Sequence, residues 1–126
     1  MSEAGRARIL GDVSPGDLIV SGPREVRGWS LMVVQGEIDL STAPELREAI
    51  GKAIEQGADK LAIDLRDVSF MDSMGLGVLI GARRRLHESG RQFALICADG
   101  PCLRVIEISG VANLLGVVRG DDELPG

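Results

Sequence analysis

The sequence predicts an α/β fold, a mixed β-sheet covered by helices in the order β-β-α-β-α-β-α-β. Two observations carry that expectation. Short runs rich in β-branched and aliphatic residues alternate along the chain with stretches whose apolar residues recur at helical spacing. After an opening pair of strands, every helical stretch lies between two strands, so each connection is a crossover and the sheet is mostly parallel, with its opening strand free to pair antiparallel. The 126 residues suit one compact domain, which at this size buries roughly two-thirds of its unfolded surface.

Residues 1–16 mix Gly, Arg, Ser and Pro without period and read as a loose N-terminal leader, with Ile9 and Leu10 able to touch the body. The domain is expected over 17–119. Leu18 to Val20 and Ser30 to Val34 read as two strands, separated by the Gly22-Pro23 break and Gly28, in a hairpin or near pair. Thr42 and Glu45 have the spacing of a capping box, Pro44 is tolerated in a first turn, and Leu46, Ile50, Ala53 and Ile54 form one helical face that ends at Gly57. A buried strand runs from Lys60 and stops before Met71. A second helix starts near Ser73, with Leu76, Leu79, Ile80 and Leu86 inward, Arg83, Arg84 and Arg85 toward its C-terminal end, and Gly90 as its stop. Phe93 to Ala98 forms the next strand, Pro101 to Ser109 a third helix with Leu103 and Ile106 inward, and Leu114 to Val118 a last short strand. Residues 120–126 read as a flexible acidic tail.

Composition excludes several functions. Fourteen basic against nineteen acidic side chains give a net charge of −5, the wrong sign for a phosphate backbone or an anionic membrane, so neither nucleic acid nor membrane is an expected partner. Trp29, Phe70 and Phe93 are the whole aromatic inventory, too little to stack bases or sugars. Cys97 and Cys102, with a single His in the chain, match no zinc or redox spacing and read as small apolar side chains in a reducing compartment. No apolar run approaches a bilayer span and no apolar segment follows Arg6 and Arg8, so a cytoplasmic location is the default.

The chemistry concentrates where the second helix begins. Met71-Asp72-Ser73-Met74-Gly75-Leu76-Gly77 puts an acid, a hydroxyl and two glycines at a strand-to-helix junction. One reading is an ordinary helix cap by Ser or Asp. Glycine in a first turn costs about 1 kcal/mol against Ala, however, so Gly75 and Gly77 point to something that approaches closely. Enzymatic readings fail on geometry. A nucleophile elbow needs Gly where Met71 stands. His87 lies roughly 21 Å along the same helix, at about 1.5 Å per residue, and cannot serve Ser73 as a base. The glycine spacing matches neither a dinucleotide fingerprint nor a phosphate-binding loop, so no cofactor is expected. A second acidic segment, Gly36-Glu37-Ile38-Asp39, also follows a strand and precedes a helix, which can bring Glu37 and Asp39 to the same sheet edge. No cleft residues accompany them, which leaves an interaction surface or a solvated loop.

These residues resemble the bacterial anti-sigma factor antagonists, which are single STAS domains. The matching segments are Gly36-Glu37-Ile38-Asp39 with Ser41-Thr42-Ala43, then Phe70 through Val78, then Ile108-Ser109-Gly110, in the family's order and spacing. The resemblance implies a STAS-like mixed sheet and a regulator rather than an enzyme. It implies Ser73 as the residue phosphorylated by an anti-sigma factor serine kinase whose own site holds the ATP, with a phosphoserine phosphatase to reset it. Unphosphorylated, the antagonist binds the kinase and frees the sigma factor. By the same resemblance Glu37, Asp39 and Ser41, with Met71, Asp72, Met74, Gly75, Leu76 and Gly77, belong to the kinase-facing surface. One departure stands out: Met74 occupies a place where the family usually has Ser or Thr, which bears on partner choice. The alternative is a STAS scaffold or ligand-sensing module that is never phosphorylated. A phosphate at a helix N-terminus meets free amides and the positive end of the dipole, a stabilisation of about 0.5–1 kcal/mol, so the switch is expected to act on binding and not on folding.

Overall fold

Strands and helices follow one another as the periodicities require in a computed structural model that describes residues 17–126; the leader expected over 1–16 lies outside them. β1 (Leu18–Val26) and β2 (Trp29–Ile38) form a hairpin. Arg27 and Gly28 turn it with φ of 54° and 86°, the pair of left-handed residues whose twist matches that of the flanking strands. Gly22-Pro23 does not separate two strands as expected. It lies inside β1 at the register shift between Ser21 and Arg24, and a Pro without an N–H is tolerated there because β1 is an edge strand.

Then come α1 (Ala43–Glu55), β3 (Lys60–Met71), α2 (Ser73–Glu88), β4 (Gln92–Ile96), α3 (Pro101–Ile108) and β5 (Val117–Val118). The last strand is shorter than expected because residues 112–116 are taken up in turns, with Leu115 turned into the core. The sheet order is β1-β2-β3-β4-β5, with β1 antiparallel to β2 and the other pairs parallel.

Strand order that equals chain order has a consequence. Right-handed crossovers that all step in the same direction place every helix on one face of the sheet. Leu61, Ile63 and Leu65 of β3 accordingly pack with Leu46 and Ile50 of α1, Leu79 and Leu86 of α2, and Leu103 and Ile106 of α3 in one core. The opposite face carries Trp29, Leu31, Ala62, Ala94 and Ile96, and no helix among the described residues covers it.

The C-terminal residues do. The tail expected to be flexible over 120–126 contains a 3-10 turn at Asp121–Glu123, and Leu124 is 1% exposed against that second cluster. The Trp29 indole N–H donates to the Pro125 carbonyl at 2.7 Å, and Arg27 donates to the Leu124 carbonyl at 3.3 Å. An apolar sheet face without a helix needs another cover, and one Leu within an acidic run is a weak signal of it in the sequence.

Cys97 and Cys102 are buried and unpaired. Burial pushes their thiols up to about 12 and about 11, so both stay protonated and pack as small apolar groups. Among the described residues the one buried carboxylate, Asp64, is held by Arg66 through two bonds of 3.0 and 2.8 Å, as a buried charge requires.

Candidate functional site

β2 and β3 pair in parallel with Glu37 opposite Phe70 and Ile38 opposite Met71, and both strands then stop. The segments that follow, beginning at Asp39 and Asp72, therefore leave the sheet side by side, about 5 Å apart as neighbouring strands are. The Asp72 N–H donates to the Ile38 carbonyl at 3.1 Å and extends that pairing one residue further. Two segments distant in sequence thus become one surface.

Asp72 caps α2. Its backbone is extended, and its carboxylate accepts from the amides of Met74 at 2.9 Å and Gly75 at 3.2 Å. Ser73 is the first helical residue and is exposed, and its hydroxyl has no hydrogen-bond partner among the described residues. The two readings of the junction therefore apply to different residues: Asp72 does the capping, and the Ser73 hydroxyl is left unused. The expectation that a phosphate would meet free amides needs correction, because Asp72 already occupies those of Met74 and Gly75. A phosphate on Ser73 keeps the dipole but stands beside a carboxylate.

The Asp39 loop is built by its own side chain. One Asp39 oxygen accepts from the Ser41 amide at 2.9 Å, the Ser41 hydroxyl at 2.8 Å and the Thr42 amide at 3.1 Å. The capping box expected at Thr42 and Glu45 does not form. The Thr42 hydroxyl instead accepts from the Asp39 amide at 2.9 Å and donates to the Glu37 carbonyl at 2.8 Å. The Ser41 hydroxyl, ahead of the neighbouring amides, holds the Asp39 carboxyl below its usual value of 3.8. A carboxyl lowered on folding contributes stability that is present above its unfolded value and is lost as pH falls through the folded one. Asp39→Ala should therefore melt below wild type at pH 7, Asp39→Asn should lose less because it keeps an acceptor, and the gap between wild type and the Ala variant should narrow by pH 3. Circular-dichroism melts at the two pH values check this; coincident wild-type and Ala melts at pH 7 would remove Asp39 from the turn.

The surface is smaller than the sequence suggested. Glu37, Asp39, Ser41, Asp72, Ser73, Met74 and Gly77 are exposed or half-buried. Met71, at 1% exposure, together with Gly75 and Leu76, is buried and belongs to the core, so these three do not face a partner. Gly75 is required by close approach within the chain: a Cβ there would stand 2.4 Å from Ile38 Cγ2 and 2.9 Å from Met71 Cγ. Gly77 has no such reason, since a Cβ there meets nothing within 4 Å.

Two surface residues escaped the sequence reading. Leu40 is 69% exposed and Phe70 46%, and they flank the junction with Met74 at 43%. A lone Leu in a polar loop was the signal for the first. Phe70 had none, because register shifts between Val33 and Gln35 and between Gly36 and Glu37 upset simple alternation at the paired strand ends. Exposed apolar residues around one free hydroxyl are what a protein-binding surface needs. Among the described residues no three His, Cys, Asp or Glu side chains gather as a metal site, and no helix is long and apolar enough to cross a membrane.

Comparison with known proteins gives a consistent result. The STAS domain family matches residues 23–121. The chain is 39% identical to an anti-sigma-B factor antagonist of Bacillus subtilis over 84 residues, 67% of this chain and 76% of that protein. Its fold superposes on the crystal structure of an anti-sigma factor antagonist from Mycobacterium paratuberculosis with a TM-score of 0.81 and 28% identity, over 88% of this chain and 93% of that one. The Bacillus cell fate determinant SpoIIAA in its phosphorylated form is similar with a TM-score of 0.58 and 26% identity, over 82% and 95% of the two chains.

Proposed function

Because the chain belongs to the STAS domain family, we propose that it is an anti-sigma factor antagonist controlled by phosphorylation of Ser73. The observation that carries this reading is the exposed Ser73 hydroxyl, relieved of helix capping by Asp72, with exposed Leu40, Phe70 and Met74 on the same two adjoining segments. It is also the only hydroxyl between Met71 and Gly77, since Met74 supplies none. A structural relative described in a phosphorylated form supports a covalent switch on this fold.

Unphosphorylated, the surface of Glu37, Asp39, Leu40, Phe70, Ser73 and Met74 docks on an anti-sigma factor, which then releases its sigma factor in the cytoplasm. The role is regulatory. The partner holds ATP and supplies the base: the Ser73 oxygen attacks the γ-phosphorus, the bond to the bridging oxygen breaks, ADP leaves and the hydroxyl proton passes to the partner. A phosphatase later hydrolyses the ester with water and restores the docking surface.

The test is incubation with a cognate anti-sigma factor kinase and ATP, followed by tandem mass spectrometry. One phosphate on Ser73 is expected, with Ser73→Ala unlabelled yet still bound to the kinase. Labelling of Ser73→Ala at another residue to the wild-type extent would overturn the assignment.

A further inference from the structure

Next to the Ser73 surface, which it meets at Gly77, α1 and α2 lie side by side over the sheet with a groove of about 240 Å³ between them. Its floor is apolar, from Ile50 and Ile54 of α1 and Val78 of α2, all buried in the core. It exists because three lining residues lack side chains. A Cβ at Gly77 or Gly81 would meet nothing within 4 Å, and one at Gly51 would meet only Arg85 Nη1, at 3.7 Å. That last contact shows the Arg85 guanidinium reaching across toward α1. Gly51 is one helical turn beyond Arg47 on the same face, so both arginines serve one stretch of the groove.

Neither guanidinium makes an ion pair or hydrogen bond among the described residues, and no carboxylate lines the groove. Two unpaired cations over an apolar trough are unusual on a chain of net charge −5. We propose that this groove binds an aliphatic carboxylate, with its tail on the Ile50–Val78 floor and its head between Arg47 and Arg85. The planar carboxylate suits the guanidinium fork. The volume sets the tail length, because at about 30 Å³ per water-sized group it takes roughly eight such groups. A nucleotide is too large, and no aromatic residue lines the groove to stack a base; an inorganic anion would leave the floor uncovered. The proposal does not rest on the phosphorylation of Ser73, although the groove meets that surface at Gly77.

The experiment titrates sodium octanoate into ¹⁵N-labelled full-length protein and follows the amide signals of Gly51, Gly77 and Gly81, with acetate and octan-1-ol as controls. Saturable shifts confined to α1 and α2 are expected, with acetate and octan-1-ol each at least tenfold weaker, since one lacks the tail and the other the charge. The double variant Arg47→Gln, Arg85→Gln should bind octanoate at least tenfold more weakly. Gly81→Leu should abolish binding and melt no lower than wild type, because Leu is the better helix former and the space is open. Octan-1-ol as tight as octanoate, shifts that do not saturate or lie elsewhere, or unchanged binding by Gly81→Leu would each overturn the proposal.

Discussion

Ser73→Glu is expected to weaken binding to the anti-sigma factor about thirtyfold, and a phosphate on Ser73 by more than a hundredfold, with the thermal melt close to wild type. The effect follows from where Ser73 sits. Its neighbour Asp72 is fixed by hydrogen bonds that its carboxylate accepts from two backbone amides and cannot swing away without uncapping α2. At a separation of about 7 Å, two unit charges repel by roughly 0.6 kcal/mol in water and 2.4 kcal/mol at an effective dielectric near 20. Burying the surface against a partner thus adds about 2 kcal/mol for one new charge, and about 3 kcal/mol for the roughly −1.5 to −2 of a phosphate. At 1.4 kcal/mol per tenfold these become the ratios stated. In the free protein the repulsion is small and the helix dipole opposes it, so folding is nearly indifferent. Isothermal titration calorimetry with unmodified, Glu-substituted and phosphorylated protein measures all three affinities. Equal affinity of the phosphorylated and unmodified forms would refute the electrostatic account.

Leu124→Ala is expected to lower the melting temperature by about 10 °C. Leu124 is the C-terminal residue buried against Trp29, Leu31 and Ile96 on the face that no helix among the described residues covers. Truncating a buried Leu costs about 2–5 kcal/mol, and a lid at the edge of a core belongs near the low end. At about 4 °C per kcal/mol for this chain length, some 2.5 kcal/mol gives the stated shift. Trp29 is the chain's single tryptophan, so its fluorescence reports this contact alone, and its emission should move to longer wavelength in the folded variant as water reaches the ring. A melt within 2 °C of wild type with unchanged emission would show that the C-terminal segment does not hold the face closed.

Much of this architecture was legible in the sequence because period-two and helical patterns are strong where a segment is buried on one side. β2, β3 and α2 emerge that way, as does the strand-to-helix junction at Ser73. What escaped was decided by competition between neighbours. Thr42 and Glu45 have the spacing of a capping box, but the carboxylate of Asp39 reaches the Thr42 amide first, and the Thr42 hydroxyl turns to the Glu37 carbonyl. Spacing does not rank two acceptors that contend for one donor. Gly75 and Gly77 looked equivalent by type, yet only Gly75 faces Ile38, which depends on how α2 meets the sheet. Met71 and Leu76 fall inside the matching segment and are core residues nonetheless, since a contiguous motif that runs from the end of β3 into α2 necessarily includes the inward side of both. Of the C-terminal run, charge was visible and the uncovered face of the sheet was not, because that face follows from strand order and not from any local pattern.

The sheet's two margins bear on how this protein can live with exposed Leu40, Phe70 and Met74. Unpaired backbone at a sheet edge invites other chains to add strands, and an exposed apolar face nearby raises the local concentration of such encounters. One margin here is β5, only two residues long, which offers almost no template. The other is β1, where Pro23 removes a donor and the shift between Ser21 and Arg24 breaks the even row of amides and carbonyls. Neither border can easily seed a continuous intermolecular ladder. The adhesive patch beside Ser73 is thereby uncoupled from fibril-forming backbone, so a sticky recognition surface can remain available without committing the chain to self-assembly.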